Sequence, residues 1–231
     1  SSINAQQVKL NAGLVALGAV EGGNYTFSIP ESITVNPNSN GIASFNNISI
    51  YEGNYLTKSF RIDSSQTNQR FILPNSNIDT SSIRVEVEEN GSSLTYNSYT
   101  NIFDVNSESR LFLIQEIEDE KYQILFGDGI MGKKPGNDAI IRVSYIVTNG
   151  RDGNGASNFN FSGILTSNIG TTIVDGISLL TTTQRSENGD SIESVDNIKY
   201  LAPRVYASQY RAVTPNDYKS LIPFLYPKID S

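Results

Sequence analysis

Three glycines in Phe126-Gly127-Asp128-Gly129-Ile130-Met131-Gly132-Lys133-Lys134 satisfy two phosphate-binding patterns at once. Gly127, Gly129 and Gly132 have the G-x-G-x-x-G spacing of a dinucleotide loop. Gly127, Gly132 and Lys133 have the G-x-x-x-x-G-K spacing of a P-loop. Either chemistry requires the loop to open a helix, because unbonded N-terminal amides hold the anion. Here Pro135-Gly136-Asn137 follow, and a strand pattern begins at Ala139, which leaves no room for a helix. Lys134 also stands where a P-loop has its metal-holding hydroxyl. The segment reads as a tight strand-to-strand loop whose glycines permit positive φ.

Two other groups of residues could do chemistry. Asn149-Gly150-Arg151-Asp152-Gly153-Asn154-Gly155 offers oxygen ligands at alternate positions, as a calcium loop does. A calcium loop closes on a bidentate acid, and Ala156, Ser157, Asn158 and Phe159 supply none. The stretch therefore reads as an Asn/Gly turn. Paired carboxylates recur in Glu86-Val87-Glu88-Glu89 and Glu116-Ile117-Glu118-Asp119-Glu120. Alternate residues of a strand share a face, so these acids form a solvated edge, and spacing selects no glycosidase-like pair.

Composition removes most other chemistries. The chain has no histidine and no cysteine. That excludes Ser-His-Asp and Cys-His catalysis, histidine or thiolate zinc sites, and disulfides. A net charge of −7, with Lys133-Lys134 the only adjacent basic pair, argues against a nucleic-acid surface. No cofactor, no metal, no small-molecule substrate and no enzymatic activity are expected.

The elements that must carry these loops are mostly strands. With 38% hydrophobic and 18% charged residues, 12 Tyr and 10 Phe, the 231 residues read as β-rich and polar-surfaced. The apolar stretch from Leu10 to Val20 is broken by Gly13 and Gly18 and lacks a basic leader, unlike a membrane span or a signal peptide. The opening Ser1-Ser2-Ile3 suggests a fragment of a longer protein.

Along the chain, a short helix is expected around Val8 to Ala19, ended by Gly22-Gly23. Ile42 to Tyr51 and Tyr55 to Ile62 read as a hairpin turning at Glu52-Gly53-Asn54. Arg70 to Leu73 is a short strand. Ile83 to Glu88 turns at Asn90-Gly91 into Ser93 to Tyr96, and Leu111 to Ile117 pairs with Tyr122 to Phe126. Ala139 to Thr148 is expected to be the longest strand, with Ile141, Val143, Tyr145 and Val147 on one face.

Asp190-Ser191-Ile192-Glu193 has capping-box spacing, and Ile192, Val195, Ile198 and Ala202 follow at helical intervals until Pro203. Thr214-Pro215-Asn216-Asp217 repeats the signature before Tyr218, Leu221 and Ile222, up to Pro223. The expected class is mainly β with α (α+β): an antiparallel body of short hairpins followed by a short-helix C-terminal segment. Three segments are expected, an N-terminal helix/loop segment (1–40), a β-rich domain (41–165) and an α/β segment (166–231).

Two stretches resemble the baseplate J-like family. Tyr122 to Asn137, the strand to Val147 and the turn at Asn149-Gly150 are similar to its F-G-D-G-x-x-G-x-x-P segment, strand and Gly-rich turn. There Gly127, Asp128, Gly129, Gly132 and Pro135 carry the motif. The second stretch resembles E-S-x-x-x-I-K-x-x-A-P-R…Q-x-R-A-V-T-x-x-D-Y. It is carried by Glu193, Ile198, Lys199, Ala202, Pro203 and Arg204, then Gln209, Arg211, Val213, Thr214, Asp217 and Tyr218. Many members place Gly-Gly before the acidic pair ahead of the helix, whereas this chain reads Glu187-Asn188-Gly189-Asp190.

The resemblance covers residues 41–231, and Ile48 to Gly53 with Ile72 to Asn75 is similar to the T-even-like branch. It implies a baseplate wedge subunit of a contractile-tailed phage, located in the virion tail and assembled in the host bacterial cytoplasm. Such proteins dimerise, link neighbouring wedges into a ring and rearrange when the sheath contracts. Their expected partners are a second copy and other wedge subunits. The family offers no catalytic residues to carry over. An equivalent part of a phage-derived injection system stays open beside this reading, as does a nucleotide-dependent enzyme using the Gly127 loop. Arg204, Tyr206, Tyr210 and Arg211 supply the Arg/Tyr enrichment of protein interfaces, with Arg211 the preferred contact.

Overall fold

The computed structural model describes residues 6–20, 22–66, 69–99, 105–179 and 184–225. The ends of the expected first and last segments, residues 1–5 and 226–231, lie outside the described residues. In chain order the first strands are β1 (Val8–Leu10), β2 (Gly13–Val20), β3 (Gly23–Ile29), β4 (Ile33–Val35) and β5 (Tyr51–Glu52). Then come β6 (Asn54–Arg61), β7 (Phe71–Ile72), β8 (Ile78–Glu89), β9 (Ser92–Ser98), β10 (Leu111–Ile117) and β11 (Lys121–Phe126). Next are β12 (Ile140–Val147), β13 (Asn158–Phe161), β14 (Leu165–Ser167) and β15 (Thr172–Ile173), followed by helices α1 (Val195–Ser208) and α2 (Pro215–Leu225). The protein is β-rich α+β, with two short helices closing the chain.

Three sheets build the first compact unit, Ser1–Asp190. The largest has the order β6-β12-β8-β9-β10-β11-β7, and the two four-stranded sheets have the orders β15-β14-β1-β4 and β13-β2-β3-β5. Pairing is antiparallel except for β9 against β10. The β8–β9 hairpin turns on Asn90 and Gly91 with φ of 52° and 75°, the left-handed pair that an Asn-Gly step supplies cheaply. The β10–β11 hairpin closes Ile117 against Lys121 around the acidic turn Glu118–Glu120. Both hairpins stand where sequence pattern puts them. Strand β8, at twelve residues, is longer than the eight-residue β12.

The core of the large sheet contains Leu73, Val85, Val87, Tyr96, Phe112, Ile124, Ile141, Val143 and Tyr145, all nearly inaccessible. Phe71, Phe126 and Tyr96 meet edge-to-face with centroids 5.5–5.7 Å apart, the geometry that aromatic quadrupoles favour. A bulge between Ser144 and Ile146 puts Tyr145 and Ile146 both in buried surroundings. Ser82 Oγ bridges it, accepting from the Ile146 amide at 2.9 Å and donating to the Asp79 carbonyl at 2.6 Å.

Two expectations fail in this unit. The helix expected around Val8 to Ala19 is two strands, β1 and β2. A register shift between Leu14 and Ala16 buries Val15 in one cluster and Ala16 in another. Neighbouring apolar residues therefore serve two cores, which breaks the alternation that marks a strand. Gly18 is required because a Cβ there would overlap the rings of Phe27 and Phe159. The hairpin expected across Glu52-Gly53-Asn54 is also absent. Residues 42–50 form no strand, β5 pairs with β3, and β6 pairs with β12 along its whole length. Gly53 (φ 133°) passes the chain between sheets against the Val147 carbonyl, where a Cβ would not fit.

The chain divides after Asp190 rather than at the expected 165, because β13 pairs with β2 and β14 with β1. The second compact unit is Ser191–Ser231. Helix α1 starts at Val195, not after Asp190. Ser194 is its N-cap, accepting from the Asn197 amide at 3.2 Å, while Glu193 accepts from the Asn197 side chain at 2.6 Å. The helix runs on past Pro203 to Ser208 instead of stopping there. A proline inside a helix removes a ladder bond and crowds the preceding turn. Arg204 Nη1 donates to the Tyr200 carbonyl at 2.5 Å, covering an acceptor in that disturbed turn.

Helix α2 likewise continues through Pro223 to Leu225. Its start is the expected capping box: the Asp217 amide donates to Thr214 Oγ1, and Asp217 Oδ2 accepts from the Thr214 and Val213 amides at 2.7 and 3.1 Å. The Thr214 amide, before the other donors, holds the Asp217 carboxyl below the usual aspartate range.

Ile124→Ala should cost about 2–5 kcal/mol of unfolding free energy in urea titration, because it empties a sealed site. Ile164→Ala, at a side chain more than half exposed, should change it by less than about 0.5 kcal/mol. The capping contribution of Asp217 is present above its unfolded pKa of about 3.9 and is lost as pH falls through the lower folded value. The Thr214 amide resonance should therefore titrate with a midpoint below that of a free aspartate, and Asp217→Asn should abolish the transition in an NMR pH series.

Candidate interaction surface

The loop from Gly127 to Pro135 leaves β11 and enters β12 without any helical turn. Asp128 Oδ1 accepts from the Ile130 and Met131 amides at 2.8 and 2.9 Å. The Met131 amide chiefly, then that of Ile130, holds the Asp128 carboxyl below its ordinary value. Three further amides of the loop are also satisfied by the chain. Gly129 donates to the Gly132 carbonyl, Gly132 to that of Asn106 and Lys133 to that of Ser109, at 3.0, 3.1 and 2.7 Å.

An anion would have to displace a carboxylate already seated on the amides it needs, so the glycine spacing has a packing cause. A Cβ at Gly127 would overlap the Gly132 backbone, and Gly129 and Gly132 take φ of 94° and 88°. Pro135 is buried behind the loop, whereas Ile130 and Met131 stand exposed at its tip.

The Asn149–Gly155 turn has a different use. Glu52 accepts from Thr148 Oγ1, the Asn149 amide and Asn149 Nδ2 at 2.7–2.9 Å. Opposite lies the stretch 186–190. Asn154 exchanges two hydrogen bonds with Gly189, at 2.8 and 2.9 Å, and Ser186 binds the backbone of Gly153, Gly155 and Ala156. Arg151 pairs with Asp190 at 2.5 Å. Asn154 Oδ1 and the Gly153 carbonyl are thus taken up by the chain, and among the described residues no group of three or more acids is placed to hold a metal. The Gly-rich turn and the Gly189-Asp190 step, noted separately in the sequence, meet in space. The contributions of Glu52, Asn154 and Ser186 have no signal in the sequence, since each is one polar residue among many.

In the helical unit, α1 and α2 bury Leu201, Val205, Ser208, Ser220 and Leu221. The helically spaced stripe Val195, Ile198 and Ala202 lies on α1, is solvent-exposed and is continued by Tyr206. A parallel stripe on α2, Tyr218, Ile222 and Leu225, is exposed as well. Each helix thus has one apolar edge buried and a second left open. Tyr206, Tyr210 and Val213 are 83%, 70% and 77% exposed, among the highest values for apolar side chains in the chain.

Glu193, Lys199, Pro203, Arg204, Gln209, Arg211 and Thr214 are exposed too, and Asp217 is half-buried in its cap. Arg204 lies 3.7 Å from the Tyr200 ring centroid, and neither it nor Arg211 forms an ion pair among the described residues. Gln209 and Tyr210 adopt left-handed φ of 46° and 58°, which ends α1 and turns the chain towards α2. Tyr210 and Phe224 meet at 6.0 Å across the pair. No helix of the described residues is long and apolar enough to cross a membrane.

No family model matches the chain. It is 25% identical over 170 residues to the baseplate wedge protein gp6 of Enterobacteria phage T4. That alignment takes in 65% of this chain and 25% of the relative, so the chain spans about a quarter of the protein it matches. The likeness relates the chain, distantly, to a phage baseplate protein.

Proposed function

We propose that the chain is a structural part of a contractile-phage tail baseplate wedge, of the baseplate J-like kind, and works by contact rather than catalysis. The observation that carries this reading is the pair of open apolar stripes on α1 and α2, in a unit whose buried apolar residues, among those described, are Leu201, Val205 and Leu221. A two-helix unit of that size buries too little surface to be stable without further contacts. The distant likeness to a baseplate wedge protein supplies the setting in which such contacts arise. The partners are a second copy and other wedge subunits, in the virion tail, after assembly in the host cytoplasm. The wedges are linked into a ring that rearranges when the sheath contracts.

Arg211 is exposed and unpaired among the described residues, on the link between the helices, and can take a carboxylate from a partner. Tyr206 and Tyr210 supply rigid amphipathic area beside it.

Sedimentation equilibrium of the chain should show self-association, and a strict monomer at all accessible concentrations would remove the second copy from the reading. Arg211→Ala should lower wedge assembly about tenfold while changing unfolding free energy by less than about 0.5 kcal/mol, because an exposed side chain contributes little to folding. Equal losses in both would make it a packing residue. Titration with ATP or NAD should leave Tm unchanged. A dose-dependent rise would overturn the non-enzymatic reading, since a ligand at a hundred times its Kd adds about 2.7 kcal/mol.

A further inference from the structure

We infer that residues 186–190 form a releasable polar latch, seated on the Gly150 turn, that opens as a unit while the sheets stay folded. The latch is Ser186-Glu187-Asn188-Gly189-Asp190, without a single apolar side chain. It is held by the Ser186 hydroxyl and backbone, the reciprocal Asn154–Gly189 bonds and the Arg151–Asp190 ion pair. Opening it therefore exposes little hydrocarbon to water. The β1, β2 and β8 strands are different, because lifting any of them uncovers a buried cluster. A segment held by polar contacts belongs to the low-energy end of local opening, whereas core strands open only with the whole fold.

The seat is built for a close approach of two backbones. Gly150 (φ 66°) would place a Cβ 2.8 Å from the Asp190 carbonyl, and a Cβ on Gly189 would overlap the Gly150 carbonyl. The floor of the seat does not depend on the latch. Glu52 holds Thr148 and Asn149 from the opposite side, so the turn stays in place when the latch leaves. Asp190 is the last residue of the first compact unit, and the chain continues directly into the helical unit. Release frees at least the five residues of the latch, which span about 17 Å when extended. The latch thus switches the tether of the helical unit between a short and a long form. This does not rest on the baseplate reading, since opening is a property of the chain alone.

Native-state hydrogen exchange on the full chain tests it. The amides of Gly155, Ser186 and Gly189, which donate across the seat, should exchange together and at least tenfold faster than those of Val85 and Val143. In Gly189→Ala, whose added methyl meets backbone rather than open space, these three should speed up about tenfold or more. Arg151→Ala should give a smaller acceleration that added salt reproduces in the unmodified chain. The proposal is overturned if the three amides exchange only at the rate of the sheet core. It is overturned equally if Gly189→Ala leaves them unchanged. Should Gly189→Ala fail to fold, the comparison within the unmodified chain still decides.

Discussion

Strand β12 is hydrogen-bonded along both edges, to β6 over its whole length and to β8 across a bulge. Its inward side chains Ile141, Val143 and Tyr145 sit in the sealed core of the large sheet. A strand so held can move neither sideways nor along its axis without breaking two ladders and shifting every side chain to the wrong face. The two glycine-bearing loops are the entrance and the exit of this one strand. Their positions are consequences of its immobility, and their internal geometry follows from having to leave and return at fixed points.

Both loops solve the same problem, that of backbone amides in tight turns with no ladder to join. Each uses a carboxylate of the chain: Asp128 for the Ile130 and Met131 amides, Glu52 for Asn149. An acidic protein rich in Asn, Ser and Thr can close its loops this way without metal, disulfide or ligand. The glycines make the Gly127 loop look like an anion site in sequence, and Asp128 between them fills it with an anion of the chain's own.

The helical unit follows another rule. Its caps are local and complete: Ser194 serves α1, and Thr214 with Asp217 serves α2. Its packing is incomplete, because each helix has two apolar edges and only one neighbour in the pair. On the proposed reading the open edges meet other subunits, and the helices are pre-formed by capping so that less order has to be gained on contact.

Much of this was legible from local chemistry. Asn90-Gly91 dictated a hairpin because few other steps take two left-handed residues, and Thr214-Pro215-Asn216-Asp217 dictated a helix start because its bonds lie within four residues. The absence of a helix after Gly132 was equally local, given Pro135 and the strand beyond it. What misled were segments whose partners are distant. Residues 8–20 read as a helix because their apolar side chains feed two cores either side of a bulge. Residues 42–62 read as a hairpin because nothing nearby tells that β5 belongs to β3 and β6 to β12. The spacing of Val195, Ile198 and Ala202 marked a helix without telling which side of it is covered, and tertiary packing chose Leu201 and Val205. Local hydrogen bonding specifies turns and caps within a few residues of sequence. Which apolar face is covered, and which polar stretch finds a seat on a distant turn, depends on what folding brings alongside, and only the three-dimensional structure decides that.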